Sequence, residues 1–271
     1  MALADYFDRA HEGAAQILHG YDRAEFERRL YDRDVVIAYD GNALETSEGQ
    51  ATLDLLVRLV ARLYPRIEFR PIGGAERSPA LEDRASATNP GIEIAAARKG
   101  KAATLCVGKT RVRGKAIYVG SEYWIAGVGT AGPIGSHDSG NPFGAGAAAC
   151  LGAANLFRIY FGDRLERGEL DRDARLSLLN FATNDRATND YGGTPVDLGL
   201  IQLIGVGAIG NAVVWALAHG SSLSGTLEII DPQALELSNH QRYILAERKE
   251  ETAVKADLAA AFLSARSRIQ A

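Results

Sequence analysis

Seven residues in the last third of the chain have the types and spacing to hold a phosphate and act on it. Gly205, Gly207 and Gly210 make a G-x-G-x-x-G turn inside LIGVGAIGNAVVWALAHG (203–220), between an apolar run and a helical pattern. Such a turn lets the backbone approach a ligand closely, and the helix after it offers free N–H groups and a positive dipole end to an anion. Asp231 ends the next strand pattern, SGTLEIIDP, 21 residues after Gly210. A carboxylate there can accept from both ribose hydroxyls. Asn239 and Arg242 follow, three apart, and Lys255 opens the next helix pattern. A rigid guanidinium fork and a mobile ammonium suit a triphosphate under attack at its α-phosphorus, and a dehydrogenase has little use for them. ATP is therefore expected in preference to NAD. Taken singly, the turn reads as a packing corner and each cation as a solvated surface charge; the combination carries the expectation.

The elements that must position these residues form two halves. LGLIQLIGV is a continuous apolar strand of the kind buried on both faces of a parallel sheet. A helix is predicted over 208–219, SGTLEIIDP is the next strand, and 252–270 is predicted helical. This strand–helix–strand–helix order opens a doubly wound fold, with no third parallel strand before the chain stops. The first half starts with RDVVIAYDG as a strand. A helix follows with apolar Leu53, Leu56, Val57, Val60 and Leu63, closed by Pro65, and RIEFRPI is a second strand. GIEIAAARKG, KAATLCVG, KAIYVGS and YWIAGVG are shorter strand patterns, and NPFGAGAAACLGAANLFRIYFGDRL is a small-residue helix. The polar stretch NFATNDRATNDYGGTPVD (180–197) reads as the connection. The expected fold class is α/β: an N-terminal α/β domain over 1–180, then a Rossmann-like nucleotide-binding unit over 195–271, incomplete at its C-terminus.

GVGAIGN…IIDPQALELSNHQRY…VKA resembles the ThiF-type, ubiquitin-activating-enzyme-like adenylyltransferase family over about residues 199–260. The resemblance implies ATP and Mg2+ as cofactors and adenylation of the C-terminal carboxylate of a ubiquitin-like or sulfur-carrier protein. It places Asp231 on the ribose, Asn239 and Arg242 on the phosphates, and Lys255 beside the attack, with Arg242 and Lys255 as the catalytic pair. Tyr243 stands where the family more often has Gln, and ETAVK replaces its Gly-x-x-Lys lead-in. The 141–161 helix is similar to the glycine-led helix of adenylating domains. It implies that the first half is a degenerate, inactive companion lobe, and the assembly a homodimer or internal pseudo-dimer. The family's later magnesium-holding Asp, its cysteine loop and its C-x-x-C zinc site have no counterpart here. The chain alone is thus expected to bind without turning over, as the front part of a longer enzyme. An NAD-dependent oxidoreductase and a silent scaffold for a ubiquitin-like partner are the alternatives.

Composition sets outer limits. The 271 residues carry a net charge of -4, with 46% hydrophobic and 24% charged residues, ordinary for a globular protein and without the basic surplus of a nucleic-acid binder. No apolar run is long enough to span a bilayer, and MALADYFDRAHEGAAQ lacks a signal-peptide pattern, so a cytoplasmic location is expected. Cys106 and Cys150 form no metal or disulfide motif and read as small hydrophobes. His137-Asp138-Ser139 is not read as a triad, because adjacent residues cannot converge on one atom. His240, Arg23 and Arg28 receive no role, and no metal ligands are assigned.

Overall fold

The computed structural model describes residues 2–189 and 195–271. Two helices lead: α1 (Phe7–Ile17) and α2 (Arg23–Tyr31), the latter capped by Asp22, whose carboxylate accepts from the Glu25 N–H at 2.7 Å. Strand β1 (Asp34–Tyr39) is buried along its whole length, as an apolar central strand must be. A short helix α3 (Gly41–Glu45) and the long α4 (Ser47–Leu63) return the chain to β2 (Arg66–Pro71). The Thr46 hydroxyl caps α4 by accepting from Gly49 N–H, and Pro65 follows its end. Helix α5 (Pro79–Thr88) leads to the two-residue β3 (Glu93–Ile94), then β4 (Ala102–Val107), β5 (Ile117–Glu122) and β6 (Ile125–Gly129). Helix α6 (Pro142–Phe161) precedes β7 (Ala174–Ser177).

These strands form one sheet in the order β3-β2-β1-β4-β5-β6-β7, parallel from β3 through β5 and antiparallel at β5/β6 and β6/β7. Side chains alternate across it. Val35, Ile37 and Tyr39 face the main core with α4 and α6, whereas Val36 and Ala38 join Cys106, Ala116 and Tyr118 in a small cluster on the other face.

The remaining strands, β8 (Val196–Ile204) and β9 (Leu223–Ile230), are joined by α7 (Ala208–His219). Helix α8 (Lys255–Ser264) then leads to β10 (Arg268–Gln270). The 252–270 segment is therefore not one helix. Its end pairs in parallel with β9, Ile269 opposite Gly225, and completes a three-stranded sheet in the order β10-β9-β8. The expected lack of a third parallel strand is corrected by this pairing: Ile269 is an apolar residue between polar ones, and burying it against the sheet outweighs a helical continuation. The fold class is thus α/β with mostly parallel sheets, compatible with a Rossmann-like arrangement. The outer side of β8 and β9 is open, with Leu200, Ile204 and Ile230 exposed. The two sheets meet through their helices. Gly146 of α6 leaves room for the Trp215 ring of α7, which a Cβ would approach to 2.9 Å. Close packing is therefore what the small residues of α6 supply here.

Candidate functional site

At the three-stranded sheet, the glycine turn falls between β8 and α7 as its spacing requires. Gly205 has φ +87°, open only to glycine without strain, and a Cβ on Gly210 would overlap the Gly205 carbonyl. Gly207 is the N-cap of α7 and, having no side chain, makes no side-chain capping bond. Asp231 holds the turn from below, accepting from Val206 N–H at 2.7 Å and from Gln233 N–H at 2.9 Å. Lys255 is buried and donates from Nζ to Gln233 Oε1 at 2.8 Å, which links it to Asp231 through one residue. Asn239 is buried in a tight turn, its amide beside the Ser238 hydroxyl, while the exposed Arg242 donates to the Ser238 carbonyl at 3.2 Å. Asp231 and Lys255 are thus brought together, and Asn239 and Arg242 share a neighbouring turn.

Three residues that sequence reasoning passed over hold this arrangement. Asn211, fully buried in α7, donates to the Gly207 carbonyl at 2.6 Å and accepts from Ile244 N–H at 2.8 Å, tying the glycine turn to the segment after Arg242. Arg58 and Arg62 reach across from α4. Arg58 donates to the Ile244 carbonyl at 2.6 Å; Arg62 donates to the carbonyls of His240, Tyr243 and Ala246 at 2.8, 2.9 and 3.2 Å. Burial, with the nearby Arg58 charge, lowers the Arg62 pKa to about 10, because desolvation of the guanidinium outweighs its attraction to Tyr6 and Asp54. The available signal was two arginines four apart on the apolar face of a helix, a placement that requires buried acceptors.

In the seven-stranded sheet, the crevice that doubly wound folds use lies where β1 has β2 on one side and β4 on the other. Asp40, just after β1, fills it. Its carboxylate accepts from the N–H groups of Lys109 at 2.8 Å, Thr110 at 2.7 Å and Ala43 at 3.2 Å. Gly108 has φ +122°, and a Cβ there would overlap this carboxylate. The backbone donors that could cradle an anion are thus satisfied by the chain itself. Beside them the fully buried Glu48 accepts from Ser121 Oγ at 2.6 Å, from the Ser139 hydroxyl and from Tyr123 N–H at 3.2 Å. Asp138 accepts from Ser47 N–H at 2.9 Å. The His137-Asp138-Ser139 segment is therefore committed to holding the loop on the start of α4.

Neither thiol is set up as a nucleophile. Cys106 is buried in β4, and burial together with the Asp40 charge pushes its pKa up to about 12. Cys150 lies on the exposed side of α6, yet neighbouring protein atoms desolvate its sulfur enough to raise its thiol above the usual value. Among the described residues no group of three or more His, Cys, Asp or Glu side chains could hold a metal ion. Among the same residues no helix is long and apolar enough to cross a membrane.

The class defined so far is an α/β protein with a mostly parallel seven-stranded sheet, the crevice beside β1 closed by Asp40, docked onto a smaller parallel sheet with an open glycine turn. Comparison with known proteins sharpens the first part. Residues 38–162, from the end of β1 through β6 with α4 and α6, match the family described as Prokaryotic E2 family C. The chain is also 44% identical over 265 residues to the protein named "Uncharacterized protein y4jF" of Sinorhizobium fredii (strain NBRC 101917 / NGR234), covering 96% of this chain and 51% of that protein. The chain thus spans about half the length of the curated relative it matches.

These findings correct the expected resemblance. The family model that matches is of the E2 type and not of the ThiF-type, ubiquitin-activating kind, so the reading as an adenylyltransferase of carrier-protein carboxylates is overturned. The expectation rested on motifs at 199–260, whereas the match covers 38–162, where the sequence had offered a strand–helix–strand unit, further short strands and one small-residue helix.

Proposed function

We propose that the seven-stranded unit is an E2-like module that docks a ubiquitin-like protein during its conjugation. The observation that carries this is the match of residues 38–162 to Prokaryotic E2 family C. The geometry favours docking over thioester chemistry in this unit. Acyl transfer through sulfur needs an accessible thiol with an appreciable thiolate fraction. Cys106 fails on both counts, and the desolvation of Cys150 shifts its accessible thiol away from the thiolate. The crevice filled by Asp40 also argues against a small-molecule substrate in this sheet. NMR titration of the chain with ubiquitin-like proteins from the same genome tests the proposal. Saturable shifts mapping to residues 38–162, unchanged in Cys150→Ser, are expected. No binding at about 1 mM, a free energy of roughly 4 kcal/mol or less, overturns it. If the ubiquitin-like protein is supplied as its C-terminal adenylate, an adduct formed with release of AMP, cleaved by thiol exchange and lost in Cys150→Ser would replace docking by thioester transfer.

A second reading concerns the three-stranded unit. The helix N-terminus without a side-chain cap after Gly207, with Asp231 one strand away, supports binding of a nucleotide phosphate there, and ATP is the nucleotide proposed. Asn239, Arg242 and Lys255 are the side chains proposed to reach it. Calorimetry with ATP and NAD tests this; tighter binding of NAD would refute it.

A further inference from the structure

At the other end of α7, about 18 Å from the glycine turn by helix rise, a second cavity opens between the two sheets. It measures about 530 Å³, within the range of small-molecule sites. Its apolar lining comes from Leu44, Leu53, Leu81 and Ala218. Its charged and polar lining includes Arg84 of α5, His219 at the end of α7 and Arg266 just before β10.

The charges around this cavity do not cancel. Asp54 is the carboxylate in its lining, and its oxygens are taken: Oδ2 by Arg58 Nε and Trp215 Nε1, each at 2.8 Å, and Oδ1 by Arg84 Nε at 3.2 Å. Those contacts hold the Asp54 pKa at about 2 against the burial that would raise it, so it remains an anion. Glu247 lies 3.9 Å from Arg84 and is itself paired with Lys249 at 2.9 Å. Arg266 has no carboxylate partner among the described residues; it lies 4.0 Å over the Phe262 ring and donates only to the Phe262 carbonyl at 3.3 Å. His219 has its Nδ1 on the Trp215 carbonyl at 2.8 Å and its Nε2 3.8 Å from Asp54, and burial lowers its pKa, which disfavours its charged form. Three guanidiniums, Arg58, Arg84 and Arg266, therefore face two carboxylates, Asp54 and Glu247, one of them shared with a lysine. Ser47, Ser78 and Ser221 add hydroxyls around the rim.

We propose that this inter-sheet cleft binds a phosphate monoester with an apolar body, its phosphate on Arg84 and Arg266 and its body on the apolar lining of Leu44, Leu53 and Leu81. A dianion there neutralises the surplus charge. Guanidiniums match phosphate oxygens with paired, charge-assisted bonds, and the lining buries apolar surface that inorganic phosphate lacks. Because α4 and α5 lie on one side and α7 and β10 on the other, the ligand also bridges the two sheets.

Calorimetry on the full chain at constant ionic strength, with phenyl phosphate and inorganic phosphate as probes, tests the site. Phenyl phosphate is expected to bind at least about tenfold more tightly than inorganic phosphate, a difference of about 1.4 kcal/mol. Arg266→Gln is expected to weaken it by a further tenfold or so, and Arg266→Lys by less. Arg266 makes no ion pair, so its replacement leaves the Asp54 network intact; circular dichroism and thermal melting of each variant check the fold. Equal affinity for the two probes overturns the apolar half of the proposal. Equal binding by wild type and Arg266→Gln, equal losses in the Gln and Lys variants, or no binding of either probe overturns the site.

Discussion

Arg62→Met tests whether the first sheet positions the turn that follows Asn239. In the wild type the guanidinium supplies hydrogen bonds to three carbonyls of the other unit, those of His240, Tyr243 and Ala246, and a fourth to the Arg58 carbonyl at 2.5 Å within α4. Methionine fills much of the same volume and donates nothing. The Arg58 carbonyl belongs to a helix, but the other three lie in an irregular segment, and each stranded buried carbonyl costs about 1 kcal/mol at the low end of the measured range. The low end applies because methionine also removes a charge that burial disfavours, as the lowered Arg62 pKa indicates. The expected net loss is about 3 kcal/mol, a large share of the roughly 5–15 kcal/mol of a typical domain but not enough to unfold it. Urea denaturation measures the global loss, and amide hydrogen exchange localises it: protection should fall over 239–246 while β1 and β4 keep theirs. Arg62→Lys should recover only part, since one ammonium cannot span these acceptors. A loss within about 0.5 kcal/mol, with unchanged exchange over 239–246, would refute the reasoning.

The buried His240, stacked on Tyr6 at 5.6 Å, has its pKa lowered to about 4 by burial and by the nearby Arg62 and Arg248. The unfolded chain therefore takes up a proton that the folded one refuses. Stability should be unaffected by this group above about pH 6.5 and should fall as pH drops toward 4, and His240→Phe should flatten that part of the profile, read by urea midpoints against pH. Alkylation by iodoacetamide at pH 8 followed by peptide mass mapping should label Cys150 slowly and leave Cys106 unlabelled in the native state; equal labelling would contradict the burial of β4. Gly108→Ala should lower stability by about 2 kcal/mol or more, because its φ of +122° is strained for alanine and the new Cβ meets Asp40; an unchanged melting temperature would place Asp40 outside the crevice.

What the chain states locally, the sequence alone determined. The apolar period of 53–63 and the stop at Pro65 define α4, the small-residue run after Asn141 defines α6, and the glycine spacing places a turn at 205–210, because sterics and side-chain periodicity act between neighbours. The limit of such reasoning shows at 252–270, where Ile269 left a helical pattern to pair with a strand more than forty residues away. The same limit explains the site. Nothing near Asp40 in the chain reveals that its partners are the amides of residues 109 and 110, and nothing near Arg62 reveals acceptors 178 to 184 positions on. Whether a cysteine is reactive, a crevice open or an arginine paired depends on which distant atoms share its volume once water has been excluded. Only the tertiary packing decided that, because burial turns a residue's chemistry into a property of its neighbours in space.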